Sequence, residues 1–185
     1  MYHNYFNGLK LVVLIFFGTL VSNRETFAQD QNVIDSLNVV LSKSSSDKKA
    51  EVLIGLGIEY TKGDVVKSLP YFDEAYSISL ENGDSVGIVY SGWLRGEMFR
   101  RMERMNESIE TLNYVLPIAE RNKIRKYYKR ILNTLALNHT FQASYDKALE
   151  YHFLSLIARE TDGEIEAVTV SLANIGLVYF KLRNY

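Results

Sequence analysis

The chain has 185 residues, 47% of them apolar, and a formal net charge of -1. That content suits one domain or slightly more with a real core, and the balanced charge argues against a polyanion binder or a disordered charged tail. Cysteine is absent, which excludes disulfides, thiolate chemistry, cysteine-ligated metals and a cysteine-anchored lipoprotein.

Leu11 to Val21 is an apolar run, preceded by Lys10 and followed by polar residues ending in Thr26-Phe27-Ala28. A run this short cannot span ~30 Å of hydrocarbon as a helix rising ~1.5 Å per residue. A positive start, a short apolar centre and small residues at the cut predict a secretory signal peptide over 1–28, cleaved after Ala28. The mature chain then starts at Gln29 and is exported, to the periplasm or beyond. A buried first helix or an uncleaved anchor is the alternative, since Lys10 stands alone and Arg24-Glu25 interrupts the approach to the cut.

Apolar residues at helical spacing from Asn32 to Ser42 predict a capping helix, ended by Ser42 to Asp47, so that 29–46 form a cap and turn. Three helical hairpins follow, about 47–84, 85–124 and 125–162, with turns at Lys62-Gly63-Asp64, near Glu103 to Met105, and at Ala143-Ser144. Pro70 is expected to hold the second helix of the first hairpin to a start no earlier than about Val66, and Pro117 to kink or end its helix early. From 163 to 185 a fourth hairpin begins without its second half. In all, roughly seven helices in antiparallel pairs and no β-sheet are expected. The chain reads as an incomplete piece of a longer repeat protein, its last helix uncapped and open to self-association.

A small residue precedes an aromatic or His by three positions in Gly57/Tyr60, Gly96/Phe99, Ala136/His139 and Gly176/Tyr179, at intervals of 39, 40 and 40. A fixed period of this kind is the signature of a repeat array. With Leu56-Gly57, Tyr60, Ala148-Leu149, Tyr151, Ile175-Gly176, Tyr179 and Asn184-Tyr185, the chain resembles the tetratricopeptide repeat family after residue 28. The unit is near 40 residues rather than the family's common ~34, like its long-helix version, and Ala136, His139 and Ser108 depart from the usual Gly, Tyr and Ala. The resemblance implies an all-α fold: a tetratricopeptide-type α-solenoid of antiparallel hairpins wound into a right-handed superhelix.

Such arrays line their concave face with the first helix of each hairpin. Projection from the repeat register places Ile54, Ile58, Lys62, Trp93, Glu97, Arg100, Arg101, Asn133, Leu137, Thr140 and Phe141 there. A tryptophan flanked by arginines suits a peptide anchor, and equally suits packing between hairpins. Some relatives grip peptide carboxylates with Lys and Asn pairs, but the matching positions hold Ile54/Ile58, Trp93/Glu97 and Asn133/Leu137, so that activity is not carried over. Arg121 to Arg130 hold six basic residues among ten, read as a solvated helix start or a contact for an acidic partner or membrane surface. His139 fills a core-aromatic slot, no metal-ligand spacing exists, and carboxylates such as Asp73-Glu74 fall on helix starts or exposed faces.

No catalytic residue, metal or cofactor is therefore expected, and neither a nucleic-acid partner nor a transmembrane span. The leading expectation is a non-enzymatic protein- or peptide-interaction or sensing module outside the cytoplasm. The resemblance to exported bacterial members suggests the N-terminal part of a membrane signalling protein, a histidine kinase or a helix-turn-helix regulator. A free-standing periplasmic scaffold comes second and an enzyme with an unrecognised site third.

Overall fold

The computed structural model describes residues 30–183; the expected signal peptide and its cut lie outside them. The described residues form eight helices and no strand: α1 Gln31–Lys43, α2 Ser46–Thr61, α3 Val65–Glu81, α4 Ser85–Arg101, α5 Met105–Arg121, α6 Arg125–Phe141, α7 Tyr145–Thr161 and α8 Ile165–Arg183. These are the expected cap, three complete hairpins and last helix, parts that add up to eight rather than to roughly seven.

One turn geometry recurs between α3 and α8. Gly83, Glu103, Lys123, Ala143 and Gly163 recur every 20 residues, all with φ between 55° and 70°. In each case the next N–H reaches back five residues, as from Arg104 to the Phe99 carbonyl (2.8 Å) and from Ser144 to His139 (2.9 Å). These are Schellman endings, which satisfy carbonyls that the helix leaves open and turn the chain back on itself. Asp30, Asp64 and Asp84 start their helices with side-chain caps onto backbone N–H groups, a strongly favoured use of aspartate. Only glycine takes a positive φ at no steric cost. Ala143→Gly is therefore expected to raise stability by up to about 1 kcal/mol, whereas Ala136→Gly, within a helix, lowers it by about 1. Urea midpoints of the two variants check the contrast.

α3 starts at Val65, within a residue of the expected Val66, and carries Pro70 as its sixth residue, whereas Pro117 does not end α5 early, since that helix continues to Arg121. Packing holds both helices through their prolines: Ser68, Phe72 and Ala75 around Pro70, and Val115 and Ala119 around Pro117, are fully buried.

Small residues let the paired helices meet. A Cβ added at Gly57 would sit 2.4 Å from the Phe72 ring, and one at Gly96 would sit 2.7 Å from the Leu112 side chain. Beside Gly96, Ser108 donates to its carbonyl (2.6 Å) and accepts from Asn138 Nδ2 (2.7 Å). This buried relay ties α4, α5 and α6 together and explains why serine replaces alanine at that position. The ends of α2, α4 and α6 fall at Thr61, Arg101 and Phe141, so the true interval is 40 throughout. Leu56, not Gly57, is the counterpart of Gly96; the interval of 39 reflects a one-residue displacement of the notch.

The last helix is covered on one side only. Ile175 and Val178 are buried, whereas Leu172 and Tyr179 are each 52% exposed and a Cβ at Gly176 would meet nothing within 4 Å. In α6 the equivalent Leu132, Ala136 and His139 are all buried. α8 is the one helix among the described residues long and apolar enough to cross a membrane, with a mean hydropathy of 1.4. Its packing through Ser171, Ile175 and Val178 follows the repeat register.

Candidate functional site

The first helices α4, α6 and α8 line a groove of about 740 Å³. α4 contributes Trp93 and Glu97, one turn apart. α6 contributes Lys126, Arg130, Asn133 and Leu137, whose spacing of four, three and four puts them on one stripe. Glu166 and Val170 of α8 close the far side, and Arg159 reaches in from α7.

Trp93 serves two roles. Its ring lies near-parallel to Tyr90 (6.2 Å) and Tyr127 (6.1 Å), and its Nε1 donates to Thr134 Oγ1 at 3.3 Å. It thereby packs between hairpins, against both apolar clusters of the core, and still lines the groove. The Arg130 guanidinium sits 5.0 Å from the centre of its ring, a cation–π arrangement. The Thr134 hydroxyl lies 3.3 Å from Glu97 Oε2 and 3.0 Å from the Arg130 carbonyl. Glu97 is further held by Arg100 at 2.5 Å. The hydrogen bond with Glu97 holds the Arg100 pKa above its ordinary value, against burial.

On the far side, Lys129 is buried yet bonded to Asp162 (2.5 Å) and Glu164 (2.6 Å), and Arg125 also binds Asp162 (2.5 Å). Burial alone would lower the Lys129 pKa; the two carboxylates outweigh it and leave it raised. Arg159 differs. Its Nη1 donates to the Ala167 carbonyl (3.0 Å), but its buried Nε has no hydrogen-bond partner. Burial lowers its pKa, Arg130 lowers it further and Glu164 opposes both. Among the described residues, no carboxylate lies within salt-bridge range of Lys126, Arg130 or Arg159.

The groove thus gathers Trp93, Glu97, Asn133 and Leu137 from the expected concave face. It does not gather Lys62, which pairs with Glu59 (2.6 Å), or Arg101, whose Nη2 contacts the Thr61 carbonyl (3.4 Å). Arg100 stands behind Glu97, Thr140 bonds its own helix at Ala136, and Phe141, 64% exposed, lies against the Glu103 to Glu107 turn instead. Ile54 and Ile58 pack in the core. The one-residue displacement explains this: the counterparts of Ile54 and Ile58 at 40 residues are Leu94 and Met98, both buried, rather than Trp93 and Glu97. A one-residue error turns a helical face by ~100°.

The basic run from Arg121 to Arg130 does not form one patch. Arg125 and Lys129 are neutralised by Asp162 and Glu164, while Lys126 and Arg130 turn into the groove. Sequence reasoning missed this division, although the stripe through Asn133 and Leu137, extended backward, reaches both. Arg159 carried no such signal, because it reaches the groove from a second helix. His139 stacks on Tyr151 at 5.6 Å, and His152 is 1% exposed.

No family model matches the chain, and no curated protein does either. Solved structures do. RapI aligns at 19% identity with a TM-score of 0.73, over 92% of this chain and 48% of that one. Aspartyl phosphate phosphatase F from Bacillus subtilis aligns at 18% identity and 0.72, over 80% of this chain and 39% of that one. TPR-like repeats of kinesin light chain type from Podosopora anserina align at 13% and 0.60, over 90% and 95%. The chain spans less than half the length of the first two. The fold is a tetratricopeptide-like α-solenoid.

Proposed function

We propose that this chain is a non-enzymatic protein-interaction module that holds a peptide segment of its partner in the groove of α4, α6 and α8, outside the cytoplasm. The observation that carries the reading is the groove itself, lined by a tryptophan, an asparagine and cations on successive first helices. Solved structures of the same fold support it, since stacked hairpins create extended concave binding surfaces. One of those structures is named a phosphatase; at that identity the likeness extends to the fold alone. The two described histidines, His139 and His152, are both buried in helix packing and away from the groove lining. Export rests on the apolar run before Ala28, and service as the input part of a membrane signalling protein rests on the resemblance to exported members of the repeat family. The empty notch at Gly176 favours, as a second reading, self-association through the outer face of α8.

The test is site-specific photocrosslinking in the native host. A crosslinker at Leu137, in the groove, is expected to capture a partner that one at the exposed Val66 does not, and Trp93→Ala to weaken that partner by ~2 kcal/mol or more. Equal capture from both positions would refute the groove. Native mass spectrometry of the recovered protein reads the remainder: loss of residues 1–28 supports export and a dimer supports self-association, whereas retained Met1 or a monomer counts against each.

A further inference from the structure

Charge in the groove is unevenly compensated. Of its carboxylates, Glu97 is held by Arg100 and Glu164 by Lys129, while Glu166, on the rim, makes no ion pair among the described residues. Of its cations, Lys129 is satisfied, while Lys126, Arg130 and Arg159 face one space without an acidic partner among the described residues. Arg159 is the sharpest case, because burying a guanidinium N–H without an acceptor costs free energy that no acceptor among the described residues returns. Its Nε is shielded from water and unbonded, and Arg130 is near enough to lower its pKa. Two like charges on one groove wall, the exposed Arg130 and the partly buried Arg159, make a receptor for an anion. Beside them lie the Trp93 ring and the Leu137 and Val170 side chains, an apolar floor that a free inorganic anion would not use.

We propose that the groove is built for an acidic peptide segment, in which a carboxylate sits between Arg130 and Arg159 and a neighbouring apolar side chain lies on the Trp93 and Leu137 floor. This rests on the groove reading above and names its ligand class. A planar carboxylate matches the guanidinium fork, accepting from N–H groups of Arg130 and Arg159 that line the groove, while Arg159 Nε itself stays shielded. Glu166, exposed on the rim, repels a second acid there, so the acidic residue is placed toward α6. Glu97, Glu164 and Glu166 together disfavour a polyanion such as RNA, which would run its phosphates past all three.

The experiment is selection of a library of short random peptides on the full chain, followed by calorimetry with the best peptide in free form. Enrichment of Asp or Glu next to an aromatic or aliphatic residue is expected. Arg159→Gln and, separately, Arg130→Gln should each weaken the selected peptide at least about tenfold, and replacing its acid by the amide should do the same. Arg130 is exposed and makes no ion pair among the described residues, so its variant stays informative if Arg159→Gln fails to fold. Enriched peptides that are neutral or basic, or indifferent to Arg130→Gln, would overturn the ligand class and leave the groove standing. No enrichment over the Trp93→Ala chain would overturn both. An oligonucleotide that binds with the same dependence on Arg130 and Arg159 would assign the site to nucleic acid.

Discussion

Replacing Phe72 with alanine is expected to lower stability by about 3 to 5 kcal/mol, the range for a large buried aromatic whose site cannot collapse. Phe72 is fully buried, and its ring fills the notch that Gly57 leaves open between α2 and α3. The reverse intrusion is costly as well. A methyl at Gly57 would lie 2.4 Å from the ring, and a core ring cannot swing aside, so Gly57→Ala should cost about 1 to 3 kcal/mol. The pair tests the assignment better than either change alone. In the Gly57→Ala, Phe72→Ala double variant the new methyl enters the space that the ring vacated, so the combined loss should fall short of the sum. Urea unfolding of the four proteins gives the coupling, and strict additivity would show that the two residues do not meet.

Acid should unfold the chain through one core position. His152 follows Phe72 and Leu112 at intervals of 40 in the repeat, and at 1% exposure it is as buried as they are. Burial, and then the positive charge of Arg159, push its pKa down to about 4. An unfolded histidine titrates near ~6.5. The folded state therefore keeps the ring neutral over a range in which the unfolded state takes up a proton. Its contribution is fully present above about pH 6.5 and is lost as pH falls toward 4, amounting to roughly 3 kcal/mol. Asp162 and Glu107, whose pKa values are lowered by bonded cations, lose stability at still lower pH. Comparison with His152→Leu isolates the histidine: the variant should show a shallower loss between neutral pH and about pH 4.5, and an identical slope would place the acid sensitivity elsewhere.

The fold was legible because its punctuation is regular. Small residues one turn before an aromatic or a histidine repeat at a distance that only stacked hairpins produce, although three of the five left-handed turn positions, Glu103, Lys123 and Ala143, are not glycine. Pro117 misled for a local reason: a rule about hydrogen bonds lost in an isolated helix does not weigh the neighbours that pin the same helix in place. The groove was legible at Trp93, Glu97, Asn133 and Leu137 but not at Ile54 or Ile58, because Gly57 lies one residue beyond the position that corresponds to Gly96. Arg159 lay beyond any single-helix projection. Its meaning comes from α7 carrying it beneath α6 and α8, a tertiary fact with no counterpart in local spacing.

The chain has one tryptophan, and the fold has put it in the groove wall with Arg130 over its face and two tyrosines alongside. This makes the molecule its own optical gauge. A guanidinium drawn away toward an arriving carboxylate changes the field across the indole, so its emission should register occupancy without a label. The same ring sits between the two apolar clusters, where its emission also follows the melting of the central hairpin. The two signals separate on a denaturant axis, since occupancy saturates before the hairpin opens. Ligand screening and stability measurement can thus share a single cuvette.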